Sequence, residues 1–374
     1  MINRIYSDLI SKQLKVNNKV LVLYGARQIG KTTMLKNLNS SLKTLWINGD
    51  LKRNQEILSQ NDIQVIKDFI DDNELLIIDE AQNIRDIGNV LKIIYDEFPQ
   101  VKVIATGSSS LELANELKEP LTGRSKTLQM YPIAMMELRK TKSIIDLKDE
   151  LFTYLNYGMY PEVLTLKGAE SKKAHLMELV SAYLYKDVLQ LNNIKHSDKI
   201  YKLLQLLAYQ IGSLVSIHEI ANALKINQET VNHYIDLLEK GFVIKRLSGL
   251  SNNPRKEISK MDKFYFIDVG IRNAIINNFS DIEIRNDKGA LWENFIFMER
   301  QKYLSYKGLT SQSYFWRRYS GAEIDLVEQR DGIFHAFEFK WKNKKTKVPA
   351  SWEEDYPNNT YTCVDVDSFK NFVI

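Results

Sequence analysis

The chain has 374 residues, of which 44% are hydrophobic and 26% charged, and its formal net charge is +4. This length exceeds one ordinary hydrophobic core, so we expect about two or three domains that are folded throughout. The weak positive charge does not by itself indicate a nucleic-acid partner. The single cysteine, Cys363, excludes an internal disulfide and fits a reducing cytoplasm. Met1 to Leu14 lacks a signal-peptide core, and no apolar run is long enough for a membrane span, so we expect a cytoplasmic chain with no membrane partner.

Short apolar runs alternate with helical patterns over the first third of the chain. Such alternation predicts an α/β fold with a parallel sheet and crossover helices on both faces. The predicted strands are Val20 to Tyr24, Lys43 to Asn48, Leu75 to Asp79 and Val101 to Thr106, and Ile87 to Phe98 is a predicted helix.

A phosphate-binding loop follows the first predicted strand and precedes a helical pattern. It consists of Gly25, Ala26, Arg27, Gln28, Ile29, Gly30, Lys31 and Thr32, with Thr33 next in the chain. Glycines let the backbone N–H groups face phosphate oxygens, and the helix N-terminus adds positive potential. Lys31 is expected on the β- and γ-phosphates and Thr32 on Mg²⁺. The sequence therefore predicts an ATP and Mg²⁺ site that supports ATP hydrolysis.

Two acidic residues end the predicted strand Leu75 to Asp79. The carboxyl ends of strands in open α/β sheets face the ligand. We expect Asp79 to hold Mg²⁺ and Glu80 to polarise the attacking water. Simple solvation of a loop is the alternative, and the phosphate-binding loop upstream favours the functional interpretation.

Two further candidates lie downstream. The strand Val101 to Thr106 leads into small hydroxyl residues, of which Thr106 or Ser108 is a candidate contact for the γ-phosphate or the water. The alternative is that Ser108 or Ser109 caps the helix predicted next. Arg124 lies on a loop and is a candidate arginine finger, in cis or from a neighbouring subunit of a homo-oligomer, with a plain surface arginine as the alternative.

These motifs together resemble a family of prokaryotic AAA-type ATPases that carry a C-terminal domain of unknown function. The resemblance rests on the phosphate-binding loop, Asp79-Glu80, Thr106-Gly-Ser-Ser and Leu-Thr-Gly-Arg124, followed by a Gly-Met-Tyr-Pro-Glu segment at 158–162. It covers nearly the whole chain. It implies an AAA-type P-loop fold and ATPase activity, but we have no mechanism for the Gly-Met-Tyr-Pro-Glu segment beyond a turn.

The middle of the chain is predicted to be helical, with a winged helix at its end. Ser216 begins a capping box before one helix, and a second helix and a strand follow. DNA binding is one interpretation. The second helix exposes Glu229, Asp236 and Glu239, which repel phosphate, so we favour a structural or protein-docking role.

Acidic residues and a lysine converge in the predicted C-terminal domain. Asp325 and Glu338 lie on two strands that we expect to form a hairpin, Lys340 shares a face with Glu338, and Glu293 lies on a helix among apolar residues. This arrangement resembles the core of PD-(D/E)xK nucleases. Asp325, Glu338 and Glu293 are candidate ligands of a second Mg²⁺ or Mn²⁺, and Lys340 is the candidate catalytic group that polarises water.

Basic and aromatic residues near this site suggest DNA or RNA as a substrate. They are Lys342, Lys344, Lys345, Lys347, Trp316, Arg317, Arg318 and Tyr319. Lysines and arginines contact phosphates, and aromatic rings stack on bases. The alternative is an inactive relic of the nuclease fold whose acids are only solvated.

We therefore predict four segments along the chain. They are a P-loop ATPase domain over 1–131, a helical lid or connector over 132–197, a winged helix over 198–250, and a restriction-endonuclease-like α/β domain of PD-(D/E)xK type over 251–374. The predicted function is an ATPase coupled to a metal-dependent nuclease. The alternative is an ATP-switched scaffold whose nuclease-like fold is inactive and binds a protein or nucleic-acid partner.

Overall fold

The structure is a computed structural model that describes residues 2–16, 18–107, 120–183, 197–252, 261–342 and 346–374. The chain divides into two compact units. The first comprises Met1–Tyr131 with Lys240–Phe242, and the second comprises Pro132–Glu239 and Val243–Ile374.

The first unit is built on a five-stranded sheet in the order β2-β3-β4-β1-β5. Its strands are β1 (Val20–Tyr24), β2 (Thr44–Asn48), β3 (Leu75–Asp79), β4 (Lys102–Gly107) and β5 (Ser125–Gln129). Each neighbouring pair is parallel. Every residue of β1 and β3 is buried, as expected for strands covered on both faces. The predicted parallel α/β sheet is confirmed.

The helices of the first unit connect these strands. They are α1 (Ile5–Val16), α2 (Lys31–Lys36), α3 (Lys52–Leu58), α4 (Ile63–Ile70) and α5 (Ile87–Glu97), with a 3₁₀ turn at Ala81–Asn83. α4 begins where the Asp62 carboxylate accepts a hydrogen bond from the Val65 N–H at 3.0 Å. The apolar face of α5 is buried at Ile87, Val90, Leu91 and Ile94, which is the 3.6-residue period of a helix on a sheet.

The second unit begins with a helical region, as predicted. Its first helices are α6 (Met135–Leu138), α7 (Ile144–Asp149), α8 (Leu151–Tyr157), α9 (Pro161–Thr165) and α10 (Ala169–Tyr183). The Ser143 hydroxyl caps α7 by accepting a hydrogen bond from the Asp146 N–H at 3.1 Å. In turn, the Asp146 carboxylate accepts a hydrogen bond from the Ser143 N–H. The polar, proline-containing stretch from Ser251 to Lys256 is a plausible linker by sequence, and most of it lies outside the described residues.

Three helices with a turn between the last two follow: α11 (Ser197–Tyr209), α12 (Ile217–Leu224) and α13 (Gln228–Lys240). Ser216 caps α12 by accepting from the Glu219 N–H at 3.3 Å. The predicted inward residues of α13 are buried, including Val231, Ile235 and Leu238. This part of the prediction agrees with the structure, and the name winged helix stays a prediction.

A seven-stranded mixed sheet organises the rest of the second unit, in the order β12-β11-β10-β9-β7-β8-β6. The strands are β6 (Leu214–Val215), β7 (Ile244–Gly249), β8 (Asp262–Phe266), β9 (Gln312–Arg317), β10 (Glu323–Arg330), β11 (Ile333–Phe339) and β12 (Asn359–Val364). β7 pairs with β8 on one side and, at Ser248 and Gly249, with β9 on the other. One sheet therefore crosses the predicted boundary after residue 250, and the four-segment division stays a prediction.

In the described residues from 261 onward, the helices are α14 (Val269–Ile275), α15 (Lys288–Lys307), α16 (Ala350–Asp355) and α17 (Lys370–Val373). Asn294 of α15 binds the backbone at the end of β8. Its side-chain amide accepts a hydrogen bond from the Phe266 N–H at 2.8 Å and donates one to the Phe266 carbonyl at 2.7 Å. The rings of Trp316 and Trp352 are fully buried and meet edge to face, with their centroids 5.2 Å apart.

No helix in the described ranges is long and apolar enough to cross a membrane.

Asp268, the N-cap of α14, explains the Gly-Met-Tyr-Pro-Glu segment. Its carboxylate is buried and accepts from the Met159 N–H at 2.7 Å and from the Gly270 N–H at 2.8 Å. Gly158 has φ 74°, and a Cβ there would lie 1.9 Å from Asp268 Oδ1. The segment is therefore a turn that is tied to a distant helix terminus, and only glycine allows the carboxylate to come so close.

We predict that Gly158→Ala destabilises the second unit by roughly 3 kcal/mol or more, because it adds both backbone strain and a clash with Asp268. Urea unfolding followed by tryptophan fluorescence measures this, since Trp46 lies in the first unit and the other four tryptophans lie in the second. Gly168→Ala is the matched control, because φ is 81° there and no atom lies within 4 Å of the added Cβ. It should cost only about 1 kcal/mol. Equal costs for the two variants would remove Asp268 from the explanation.

Candidate functional site

The loop between β1 and α2 has the backbone shape of a phosphate cradle. Gln28 and Gly30 have positive φ values of 59° and 89°. A Cβ at Gly25 would lie 2.4 Å from the Met130 carbonyl oxygen, so this position has room only for glycine. The loop ends where Gly30 begins α2. Its backbone N–H groups and the helix terminus are suited to bind an anion.

Lys31 lies folded against this loop. Its buried Nζ donates to the Gly25 carbonyl at 2.7 Å and to the Ala26 carbonyl at 2.9 Å. The ammonium is thus kept beside the cradle by backbone oxygens, which satisfy it away from bulk water. A phosphate oxygen is a stronger partner than a neutral carbonyl, so an arriving nucleotide can take over this ammonium.

Asp79 at the end of β3 is held by two hydroxyl groups. Thr32 Oγ1 donates to Asp79 Oδ2 at 2.8 Å, and Thr106 Oγ1, from the end of β4, donates to Asp79 Oδ1. The Glu80 N–H donates to Thr106 Oγ1 at 3.3 Å. Thr106 therefore contacts the acid rather than the open side of the loop. Ser108, its predicted alternative, lies outside the described residues.

The donor set here fits Mg²⁺. A threonine hydroxyl and a carboxylate are adjacent at the cradle, and Mg²⁺ prefers oxygen ligands of this kind. Thr32 and Asp79 are the residues that would hold it, directly or through water.

Glu80 follows in the left-handed region, with φ 50°. Gln82 Nε2 donates to Glu80 Oε2 at 2.6 Å, so the carboxylate has a fixed neighbour. Left-handed backbone at a non-glycine residue is strained and often marks a functional position. The sequence interpretation missed Gln82, although its place two residues after Glu80 was visible.

Arg124 lies just before β5 and forms a bidentate pair with Asp96. Its Nε donates to Asp96 Oδ1 at 2.9 Å and its Nη2 to Asp96 Oδ2 at 3.2 Å. Both side chains are partly exposed, with 34% and 35% of their surface accessible. Its role as an arginine finger stays a prediction.

In the second unit, the predicted β10–β11 hairpin is present and brings Asp325 beside the end of β11. The strands pair antiparallel with Leu326 opposite Phe337. Asp325 Oδ2 accepts from the Phe339 N–H at 2.8 Å, and Lys340 Nζ forms an ion pair with Glu338 Oε1. Asp325, Glu338 and Lys340 are therefore neighbours, as expected from the strand period.

Lys263 of β8 enters the same region and was not foreseen. Its Nζ lies 3.2 Å from Glu293 Oε1, 2.7 Å from Glu323 Oε1 and 3.6 Å from Asp325 Oδ1, and the side chain is 1% exposed. These three carboxylates, Glu293, Glu323 and Asp325, form the acid cluster. The Tyr265 hydroxyl also donates to Glu293 Oε1 at 2.6 Å. The only sequence signal was a lysine within the aromatic strand Asp262–Phe266, an unusual place for a charge.

The pKa values of these groups follow from burial and from their mutual charges. Burial alone would lower the pKa of Lys263, but the surrounding carboxylates outweigh it and the pKa is raised. Burial raises the pKa of the Glu293 carboxyl to about 7, although Lys263 opposes the shift. Burial and the nearby charge of Asp325 raise the pKa of Glu338 to about 6. The positive charge of Lys263 thus favours the ionised form of the carboxylates around it.

The donor set of the second unit fits a metal only in part. Within the described ranges, no group of three or more His, Cys, Asp or Glu side chains is arranged to hold a metal ion. The ammonium of Lys263 lies among the acids, and Glu293 is already contacted by Lys263 and Tyr265. Asp325 and Glu338 remain as a two-carboxylate pair, and Glu338 Oε2 is buried without a hydrogen-bond partner among the described residues. That pair has the oxygen chemistry of a Mg²⁺ or Mn²⁺ site, and the role of Glu293 as a third ligand stays a prediction.

Among the basic and aromatic residues predicted to contact nucleic acid, the prediction for Trp316 was wrong. Trp316 is fully buried in the core and cannot stack on a base. Arg318 Nη2 pairs with Asp355 Oδ2 at 2.6 Å, and Arg317 Nη1 lies 3.3 Å from Glu323 Oε2. Tyr319 is 66% exposed. Lys342 and Lys347 are exposed, and Lys344 and Lys345 lie outside the described residues.

Three family descriptions match consecutive parts of this chain. Residues 17–139 match an AAA domain, residues 148–282 match domain of unknown function 8612, and residues 288–367 match domain of unknown function 4143. The AAA match covers β1, β3 and the loop with Lys31. Together with the geometry above, it supports an AAA-type P-loop ATPase that carries a C-terminal domain of unknown function.

Relatives align over most of the chain. An uncharacterized protein of Methanocaldococcus jannaschii is 27% identical over 373 residues, which is 92% of this chain and 81% of the relative. An uncharacterized protein of Mycobacterium tuberculosis is 26% identical over 334 residues, or 88% of this chain and 71% of the relative.

Among solved structures, the Walker-type ATPase of Pyrococcus abyssi has a TM-score of 0.48 at 15% identity, covering 72% of this chain and 94% of that chain. AMPPCP-bound DnaA from Aquifex aeolicus has a TM-score of 0.32 at 17% identity, covering 64% and 88%. Structural similarity at these TM-scores establishes neither the fold nor the function of this chain.

We predict that Thr106→Val lowers the rate of ATP hydrolysis about tenfold, because Asp79 loses a charge-assisted hydrogen bond and Glu80 loses its hydroxyl acceptor. Steady-state phosphate release with Mg²⁺ measures the rate, and circular dichroism checks the fold. Thr106→Ser keeps the hydroxyl and is the matched control, which should stay within about twofold of wild type. A Val variant as fast as the Ser variant would show that the hydroxyl has no part in the reaction.

Proposed function

We propose that this chain binds ATP with Mg²⁺ at Gly25 to Thr33 and hydrolyses the bond between the β- and γ-phosphates. The observation that carries the proposal is the contact between Thr32 and Asp79 beside the glycine cradle. A hydroxyl from the loop and a carboxylate from a neighbouring strand meet there, which is the pairing that P-loop hydrolases use for their metal.

Each remaining residue of the loop has a role in this proposal. Backbone N–H groups of Ala26 to Gly30 bind phosphate oxygens, and Lys31 turns from the loop carbonyls to the β- and γ-phosphates. Thr32 and Asp79 would hold Mg²⁺, which would supply charge neutralisation when bound. Arg27, Gln28, Ile29 and Thr33 shape the loop and its following helix.

Glu80 is the proposed general base. It accepts a proton from water as the water oxygen bonds to the γ-phosphorus, and the bond to the bridging oxygen breaks to leave ADP and phosphate. Its present bond to Gln82 supplies an orienting partner for that carboxylate. Arg124 would first have to leave Asp96 before it reached a γ-phosphate, in its own chain or in a second copy within a homo-oligomer.

Two substitutions separate binding from hydrolysis. We predict that Lys31→Ala abolishes tight ATP binding, because no other side chain of the loop offers an ammonium to the β- and γ-phosphates. We predict that Glu80→Gln binds ATP normally but hydrolyses it about 10²–10⁴-fold more slowly, since an amide cannot accept the proton. Isothermal calorimetry gives the affinities and phosphate release gives the rates.

Lys36→Ala serves as the control, because this lysine ends α2 and lies over the Trp46 ring at 5.7 Å rather than at the loop. It should bind and hydrolyse ATP as wild type does. Wild-type affinity in Lys31→Ala would refute the phosphate role of the lysine. Turnover of Glu80→Gln within a factor of about two of wild type would assign the base to another acid.

A second candidate function, metal-dependent cleavage of DNA or RNA, is favoured by the contact of Asp325 with the β11 backbone beside Glu338 and Lys340. In this proposal Asp325 and Glu338 hold Mg²⁺ or Mn²⁺, which would supply charge stabilisation at a phosphodiester. Lys340 orients the attacking water, and exposed Lys342 and Lys347 contact the phosphate backbone. We also propose that the chain acts in the cytoplasm.

We predict that wild type cleaves at least one of single- or double-stranded DNA and RNA with Mg²⁺ or Mn²⁺, and that ATP changes the rate. Asp325→Asn, Glu338→Gln and Lys340→Ala should each lower cleavage by roughly 100-fold, because each removes a group at the proposed site. Gel assays with purified full-length chain measure this. Lys370→Ala, on α17, is the control and should cleave as wild type does.

Absence of cleavage by wild type, or equal residual cleavage in all variants, would reject the nuclease. The alternative would then stand: ATP sets the conformation of a scaffold whose second unit binds a partner. Partner binding through α13 favours protein over DNA, because two of its acids, Asp236 and Glu239, lie 3.0 and 3.1 Å from Arg246 and leave little positive charge for phosphates.

A further inference from the structure

We propose that the Lys263 ammonium is a built-in cation that takes the place of a divalent metal within the acid cluster. Its role does not depend on ATP hydrolysis or on cleavage of nucleic acid. The cluster is Glu293 from α15 with Glu323 and Asp325 from β10, so a helix and a strand supply like charges to one small volume. Like charges that are partly removed from water repel unless a cation lies between them.

Lys263 meets that requirement from β8, which β9 and β7 separate from β10 in the strand order. Its Nζ lies 2.7 to 3.6 Å from one oxygen of each acid. The side chain is 1% exposed, and the Phe315 ring lies 5.7 Å from the ammonium. The ammonium is therefore enclosed by carboxylates and an aromatic ring, which satisfy its charge away from bulk water.

The carboxylate of Glu293 is already occupied by hydrogen bonds within the cluster. One of its oxygens accepts from both Lys263 and Tyr265, and its carboxylate lies 3.1 Å from where a Cβ of Gly212 would be. A divalent ion bound here would lie next to the ammonium, and the two cations would repel. Glu293 of the wild type is therefore not a metal ligand in this proposal, because Lys263 lies 3.2 Å from it. Any Mn²⁺ in this unit relies on Glu338 and on Asp325, whose Oδ1 lies farther from the ammonium at 3.6 Å.

Removal of the ammonium should turn the acid cluster into a metal site. Lys263→Met keeps the length of the side chain without the charge. In a Trp46→Phe background, fluorescence reports the second unit alone, because the remaining tryptophans all lie there. We expect the full-length, nucleotide-free variant to melt about 10 °C below its parent, and millimolar Mn²⁺ to restore about half of that loss.

Electron paramagnetic resonance of free Mn²⁺ counts the bound ions. Lys263→Met should bind about one more Mn²⁺ per chain than its parent, and adding Glu293→Gln should abolish that gain. Glu293→Gln alone should leave Mn²⁺ binding of the parent unchanged. The double variant also relieves the repulsion, so it provides a folded chain if the single variant unfolds.

Lys302→Met is the matched control. Lys302 is also a buried lysine, and its Nζ donates to Glu299 Oε1 at 2.6 Å and to the Ile133 carbonyl at 3.0 Å. Its loss should lower the melting temperature similarly, with no recovery in Mn²⁺. The proposal is overturned if Lys263→Met gains no Mn²⁺, if Mn²⁺ stabilises Lys302→Met equally, or if Glu293→Gln alone removes a bound Mn²⁺ from the parent.

Discussion

A charge that is taken out of water requires a partner, and this constraint orders both units of the molecule. In the first unit, Lys31 is satisfied by two loop carbonyls and Asp79 by two hydroxyl groups. In the second, Lys302 is paired with Glu299, and the acid cluster surrounds Lys263. Such pairs contribute little net stability compared with apolar packing, but a wrong arrangement would leave a buried charge unpaired. They therefore select one arrangement of the elements that carry them.

The constraint acts at long range in the sequence. Arg300 of α15 forms a bidentate pair with Glu328 of β10, and its Nη1 also donates to the Phe372 carbonyl of α17. Arg285 Nη1 donates to Asn156 Oδ1 at 3.4 Å, across 129 positions of the sequence. Each of these side chains joins segments whose own apolar patterns would permit several packings. Specificity in this unit thus comes from polar groups within a largely apolar interior.

The sequence predicted the first unit well because its signals are local. A glycine-lysine-threonine loop after five apolar residues leaves few alternatives, and β3 reads as apolar up to Asp79. The hairpin of β10 and β11 was also readable, since Gly332 and strand alternation lie within a short span. Trp316 was misjudged because an aromatic residue beside arginines has the same pattern whether it faces the core or the solvent.

What could not be predicted depends on residues far apart in the chain. Lys263 meets Glu293 and Asp325 only after the four strands β8, β7, β9 and β10 and helix α15 have assembled, and no spacing rule links them. The pairing of β7 with β9 rests on Ser248 and Gly249, which carry no strand signal of their own. Asp268 and Gly158 likewise meet across 110 positions, and their contact explains a motif that the sequence left as a turn.

The continuous sheet has a consequence for inheritance. The lysine of the acid cluster belongs to residues 148–282 and its acids to residues 288–367, so two separately recognised families share one electrostatic centre. Exchange of either part with an unrelated chain would leave an ammonium or a set of carboxylates stranded in the interior. We therefore expect the two parts to be inherited together, with a change at the lysine accompanied by a change among the acids.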